Sequence, residues 1–151
     1  MFQKLMATGN SPAAFFLRIS LGIVMLAHGM QQTFGLFGGI GLNRDIGYYT
    51  GTFNIPWIIS FLGILTISFG AICLIIGLWS RLMALLIGLF LLTALMLVHI
   101  HNGFFMNWKG INSGEGFEYH ILGFGIVIAI IIYGSGWLSI DRMLTHRHKI
   151  N

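Results

Sequence analysis

The chain has 151 residues, of which 56% are hydrophobic and only 8% are charged, whereas Asp, Glu, Lys and Arg make up about a quarter of a soluble domain. This composition excludes an ordinary water-soluble fold, and the length predicts one domain over residues 1–151. The net charge of +4 does not predict a nucleic-acid partner, because the basic residues stand at the ends of apolar runs, where anionic lipid and membrane topology explain them.

Four apolar segments approach the length that a membrane-spanning helix needs, about 20 residues for a hydrocarbon core of about 30 Å. They cover residues 12–30, 56–79, 81–100 and 118–140. Ser11 and Pro12 form a helix start, with a side-chain cap followed by a proline in the first turn. Arg18 interrupts the first segment and no cleavage site follows, so we interpret it as a retained span. The sequence therefore predicts an all-α integral membrane four-helix bundle.

The connections between these segments differ in character. Residues 31–55 are rich in glycine and aromatic residues, and we expect them to lie at the interface or to fold over the bundle. Only Trp79 and Ser80 separate the second and third segments, which predicts a helical hairpin. Gly63, Gly70 and Gly77 recur every seven residues, which predicts a packing seam on one helix face.

The distribution of basic residues predicts the orientation. With four spans, both termini and the central turn share one side, which carries Lys4, Arg18, Arg81, Arg142, Arg147 and Lys149. The opposite side carries Arg44 and Lys109, offset by Asp45, Glu115 and Glu118. Because positive residues concentrate on the cytoplasmic side, we expect both termini in the cytoplasm and the chain in the plasma (inner) membrane as a multi-pass protein.

Polar residues gather at the outer ends of three predicted spans: His28, Gln31, His99, His101, Glu118 and His120. Polar groups at this depth predict an outward-facing pocket that binds a quinone, relays protons or holds a metal. No His-x-x-x-His spacing occurs, so we expect no metal site. His99 and His101 are two residues apart, so at most one points inward on a helix. The alternative is that these amphipathic side chains simply lie among lipid headgroups.

Charged residues at the opposite end form a second group: Arg18, Arg81 and Asp141. Asp141 falls at the predicted end of the fourth helix, where the helix dipole disfavours an anion, so a cationic partner is expected. We predict a structural charge pair in which Arg18 or Arg81 neutralises Asp141. Arg18 can also extend its charged end to the inner surface.

Several motifs together resemble the DoxX family in the right order along nearly the whole chain. These are Leu17-Arg18 with Leu21-Gly22, His28 to Gly35, Gly77 to Arg81, His99 to Phe105, Glu115 to Tyr119 and Gly134 to Asp141. The resemblance implies a four-helix membrane protein, and some relatives are subunits of thiosulfate:quinone oxidoreductases or of other redox assemblies. The second helix of this family often carries a glutamate shortly before its middle glycine. The corresponding stretch of this chain, Thr66 to Ala71, contains no glutamate.

Two functions remain open from the sequence, and a small-molecule carrier has less support than either. The first is a membrane subunit of a redox assembly; the chain lacks the cysteine pair, flavin site or haem site that a complete enzyme needs. The second is a scaffold or assembly factor without chemistry. Both interpretations predict contact with the lipid bilayer and with a protein partner or a second copy. The cofactor is left open, with a quinone as the candidate.

Overall fold

The computed structural model describes residue 6 and residues 8–147, excluding the side chains of residues 146 and 147. Lys4 and Lys149, which the sequence predicts on the cytoplasmic side, and the side chain of Arg147 lie outside this part. All regular structure within it is helical: α1 (Pro12–Phe34), α2 (Leu42–Phe53), α3 (Trp57–Ile76), α4 (Ser80–Ala94), α5 (Glu118–Tyr133) and α6 (Ile140–Arg147).

Helix α1 begins and ends at the signals that its sequence carries. The Ser11 hydroxyl accepts a hydrogen bond from the Ala14 amide at 3.2 Å, and Pro12 opens the first turn. The helix stops at Gly35, which has the left-handed φ of 70° that terminates helices. The end lies at Phe34 and not at the predicted Met30, because nothing before Gly35 stops the helix. Gln31 and Gln32 are therefore helical residues.

The connector from α1 to α3 folds over the bundle. It contains a short 3₁₀ turn, Leu36–Gly38, and the amphipathic helix α2, which packs against α1 and α3. Ile46 is the residue of α2 that is buried.

Helices α3 and α4 form the predicted hairpin, with shifted boundaries. Helix α3 ends at Ile76 and not at Trp79, because Gly77 and Trp79 both adopt positive φ angles, of 73° and 50°. After Ala94 the chain continues as a π-helical turn, Leu95–His99, and a 3₁₀ turn, Ile100–Asn102. Within the described part of the chain, three helical stretches are long and apolar enough to cross a membrane: Pro12–Phe34, Trp57–Ile76 and Ser80–Asn102.

The predicted fourth helix is wrong at its C-terminal end. Helix α5 stops at Tyr133 because Gly134 has a φ of 78°, and the chain then forms a compact loop, 134–139, before α6 starts at Ile140. At 1.5 Å per residue, the 16 residues of α5 span about 24 Å. This loop and α6 complete the end of the bundle at which Arg18 lies.

The closest helix packing lies between α1 and α3, not on the predicted seam. A Cβ added to Gly29 would lie 2.7 Å from the Ser68 Cα, and one added to Gly22 would lie 2.8 Å from the Ile75 side chain. Of the predicted seam, a Cβ added to Gly63 or Gly70 would meet α4 side chains at an ordinary contact distance of 3.4 Å, whereas Gly77, just past the end of α3, packs closely against Ser139 and not against another long helix. Small residues let backbones approach in membrane bundles, and here the α1 glycines have that role.

Candidate functional site

A cavity of about 950 Å³ lies among α1 to α5, in the half of the bundle that contains His28. Most of its wall is apolar, with Leu21 and Met25 from α1, Ile59 and Leu62 from α3, and Phe90 from α4 among the contributors. The polar lining residues concentrate at one end, which we call the polar end: His28, Gln32, Tyr48, Tyr49, His99, Glu115, Tyr119 and His120.

Three of the six predicted site residues line the cavity: His28, His99 and His120. They come from the last third of α1, from the π-helical turn after α4 and from the first turn of α5. The rings of His99 and His120 are 4.4 Å apart between centroids, tilted by 46°. The fold therefore brings histidines from three separate segments into one cavity.

The other three predicted residues lie outside the cavity lining. The Gln31 side chain donates to the Phe37 carbonyl at 3.1 Å, which ties the end of α1 to the following turn. His101 is exposed, and Glu118 is half-buried at the start of α5. His101 and His99 are two residues apart, and only His99 lines the cavity.

The loop between α4 and α5 holds His99 in place. The Glu115 carbonyl accepts hydrogen bonds from His99 Nδ1 at 2.9 Å and from Asn102 Nδ2 at 3.2 Å. The Glu115 carboxylate accepts from the Asn107 amide at 2.6 Å, so the loop carries its own hydrogen bonds. Gly116 lies beneath three backbone carbonyls, where an added Cβ would come within 2.3 Å of the Phe105 carbonyl. The imidazole orientation thus depends on a backbone contact 16 residues along the chain.

Two buried polar atoms of the lining have no hydrogen-bond partner: Gln32 Oε1 and His120 Nδ1. Buried polar atoms are normally paired, and leaving one unpaired costs about 1–3 kcal/mol. Both atoms belong to side chains that line the cavity, so a ligand inside it has two groups to bond.

Helix α2 contributes residues that sequence reasoning missed, Tyr49 above all. Burial, together with the nearby Asp45 carboxylate, raises the pKa of Tyr49 to about 12, although a hydrogen bond with Gln32 opposes the increase. Burial also raises the pKa of Asp45. Helical spacing from His28 predicts either Gln31 or Gln32 on the same face, and Gln32 is the one that lines the cavity. Nothing in the sequence places α2 over the cavity.

At the opposite end of the bundle, Arg18 is completely buried and does not reach the surface. Its Nε donates to the Ser135 carbonyl at 2.8 Å, Nη1 donates to the carbonyls of Leu74 and Ile75, and Nη2 donates to those of Trp137 and Leu138. All five guanidinium N–H groups are thereby used. Arg18 donates to backbone carbonyls from α3 and the 134–139 loop, and the nearby Asp141 carboxylate interacts with it electrostatically.

Asp141 occupies the start of α6, not the end of a fourth helix, which removes the expected conflict with the helix dipole. Its carboxylate accepts from the Trp79 amide at 2.8 Å, from the Ser80 amide at 3.0 Å and from the Ser135 hydroxyl. It therefore caps the N-terminus of α4, where an anion is favourable. Arg81 donates to the Ile131 carbonyl at 2.7 Å.

Among residues 8–147, no group of three or more His, Cys, Asp or Glu side chains is arranged to hold a metal ion. The pair formed by His99 and His120 offers hydrogen bonds at the end of an apolar space. Such an arrangement suits a ligand with a polar head and an apolar body.

Comparison with known proteins gives one match. Residues 13–100, more than half of the chain, match the family model for DoxX, from α1 through the π-helical turn that carries His99. No curated protein and no solved structure matches the chain.

Proposed function

The chain belongs to the DoxX family and is a multi-pass membrane protein, and on that premise we propose that its cavity binds a quinone within a redox assembly of the plasma membrane. The observation that carries the proposal is the composition of the cavity. An apolar wall leads to a polar end lined by imidazoles from α1, from the π-helical turn after α4 and from α5. A quinone has the same division between a polar ring and an apolar tail.

The size of the cavity fits this class of ligand. Small-molecule sites typically enclose about 300–1,000 Å³ and combine apolar walls with a few placed polar groups. The volume of about 950 Å³ admits a substituted ring and the first part of an isoprenoid tail. The ring lies at the polar end, and the tail follows the apolar wall between the helices.

The topology proposed for this protein has four spans, with both termini in the cytoplasm. Helix α5, with 16 residues, is shorter than the three continuous helical stretches Pro12–Phe34, Trp57–Ile76 and Ser80–Asn102, and the 134–139 loop and α6 extend it toward the same side as the start of α1. The first turn of α4 carries Arg81, and the last helix carries Arg142, so this side is the more basic one. The polar end then faces the outer side.

A protein partner supplies the electron transfer in this proposal. Cys73 is the sequence's one cysteine and is buried in α3, so the chain has no cysteine pair. The chain therefore serves as the quinone-binding membrane subunit, and a partner carries the redox group.

Titration of a short-tail quinone into the purified protein in lipid nanodiscs tests the proposal. We expect saturable binding that weakens about tenfold in His99→Leu and in His120→Leu, since one net hydrogen bond contributes about 1–1.5 kcal/mol. His101→Leu is the matched control, because His101 is exposed outside the cavity, and it should bind like the wild type.

Two outcomes would refute quinone binding. Absence of saturable binding is one, and equal weakening by His101→Leu and His99→Leu is the other. If the wild-type protein binds no quinone but co-purifies with a stable partner, the alternative function of a scaffold or assembly factor is favoured instead.

A further inference from the structure

We propose that the polar end selects the reduced, hydroxyl-bearing form of its ligand, a hydroquinone, over the quinone. The inference rests on the proposed quinone-class site and adds which redox form that site holds. It follows from the hydrogen-bonding character of the groups that line the polar end.

His99 is the first fixed group. A backbone carbonyl can only accept a hydrogen bond, so the contact of 2.9 Å between His99 Nδ1 and the Glu115 carbonyl requires the proton to be on Nδ1. In a neutral imidazole the other nitrogen then carries a lone pair. His99 therefore presents Nε2 as a hydrogen-bond acceptor.

Gln32 supplies the second acceptor. Its Oε1 is buried without a partner, and an amide oxygen can only accept. His120 Nδ1, beside the His99 ring, is also unpartnered and can serve in either role according to its tautomer. The hydroxyl of Tyr49 is also adaptable, since it can donate or accept.

The two redox forms of the ligand differ in what they offer these groups. A quinone carries carbonyl oxygens, which only accept, so it leaves Gln32 Oε1 unpaired and opposes His99 Nε2 with another lone pair. A hydroquinone carries two O–H groups. They can donate to Gln32 Oε1 and to His99 Nε2, and their oxygens can still accept from a tyrosine or from His120. Because a buried group left without a hydrogen bond weakens binding, the hydroquinone should bind at least about tenfold more tightly.

The experiment is an anaerobic titration of a short-tail hydroquinone and its quinone into the wild-type protein in nanodiscs. A second pair, an alkyl hydroquinone and its dimethyl ether, repeats the comparison with two compounds that electron transfer does not interconvert. The hydroquinone of each pair should bind at least about tenfold more tightly. Gln32→Leu and His99→Leu should each reduce severalfold the ratio of the hydroquinone's affinity to that of its partner compound. Gln31→Leu, which changes the neighbouring amide outside the cavity, should leave this ratio unchanged.

The outcomes separate this inference from the function on which it rests. Absence of binding for all four compounds overturns the quinone-class site itself. Binding of the quinone as tight as that of the hydroquinone, or a preference that both variants leave unchanged, overturns the selectivity alone. Because Gln32→Leu and His99→Leu are compared separately, misfolding of one variant does not decide the result.

Discussion

Arg18 shows how a charged residue can be stable in the interior of an apolar bundle. Its five donors each meet a backbone carbonyl at the end of α3 or in the 134–139 loop. Those carbonyls belong to residues whose side chains do not reveal the contact, so the sequence could indicate that Arg18 needed a partner but not these partners. The Asp141 carboxylate caps α4.

Arg18→Lys should destabilise the protein even though it keeps the positive charge. An ammonium group has three donors and cannot serve five carbonyls, so at least two of these carbonyls lose their hydrogen bond to residue 18. We expect the free energy of unfolding to fall by at least about 2 kcal/mol, measured by denaturant unfolding in one fixed detergent. Arg44→Lys, at an exposed position of α2, is the control, and an equal effect there would contradict this role for Arg18.

Tyr49 provides a test of the polar end by pH. Because its folded pKa is about 12 and its ordinary value is 10.0, the folded state favours the protonated phenol. The resulting stabilisation is complete below about pH 10 and is lost as the pH rises through about 12.

Ultraviolet titration of tyrosinate should show one ionisation near pH 12 in the folded protein, and Tyr49→Phe should remove it. If the titration curve of Tyr49→Phe differs from that of the wild type only by a group with an ordinary pKa, then burial at the polar end does not raise the pKa of Tyr49.

At the level of the helices, the first turns and their caps could be predicted, and several ends could not. Ser11 and Pro12 mark the start of α1 because capping is a local property. The end of α5 was missed because apolar residues continue beyond it, although Gly134, Ser135 and Gly136 stand in the sequence as a turn signal. The π-helical turn that carries His99 has no local signature, and neither has the position of α2.

The α1–α3 seam can be tested by matched glycine substitutions. Gly29→Ala places a methyl group against the α3 backbone, which must shift, and should cost about 1–3 kcal/mol of unfolding free energy. Gly125→Ala, on α5, meets nothing within 4 Å and should be neutral or slightly stabilising. Thermal unfolding of the two variants side by side measures the difference, and equal midpoints would contradict a tight seam.

For the whole molecule, the number of spans decides which side the cavity faces. Three helical stretches are long enough to span by themselves, and the proposal counts α5 as a fourth. Reporter fusions at the N-terminus and the C-terminus should therefore both report the cytoplasm, and a reporter inserted after Lys109 should report the outside. Termini in different compartments would show that α5 does not span, and the polar end would then lose its proposed orientation.

The convergence of the histidines is also a property of the whole molecule, and it was predicted only in part. An even number of spans brings His28, His99 and His120 to one end, which follows from counting apolar segments. Which residues line the cavity depends on helix rotation and on the α4–α5 loop. His101 and Glu118 therefore fall outside the lining, while Gln32 and Tyr49 fall inside it.

Photoaffinity labelling with a short-tail azidoquinone, mapped by peptide mass spectrometry, tests the central claim most directly. The account predicts that the ring labels peptides containing His99 and His120, and that excess unlabelled hydroquinone abolishes the labelling. Labelling confined to lipid-facing positions such as Ile58 and Ile128, and insensitive to competitor, would contradict it.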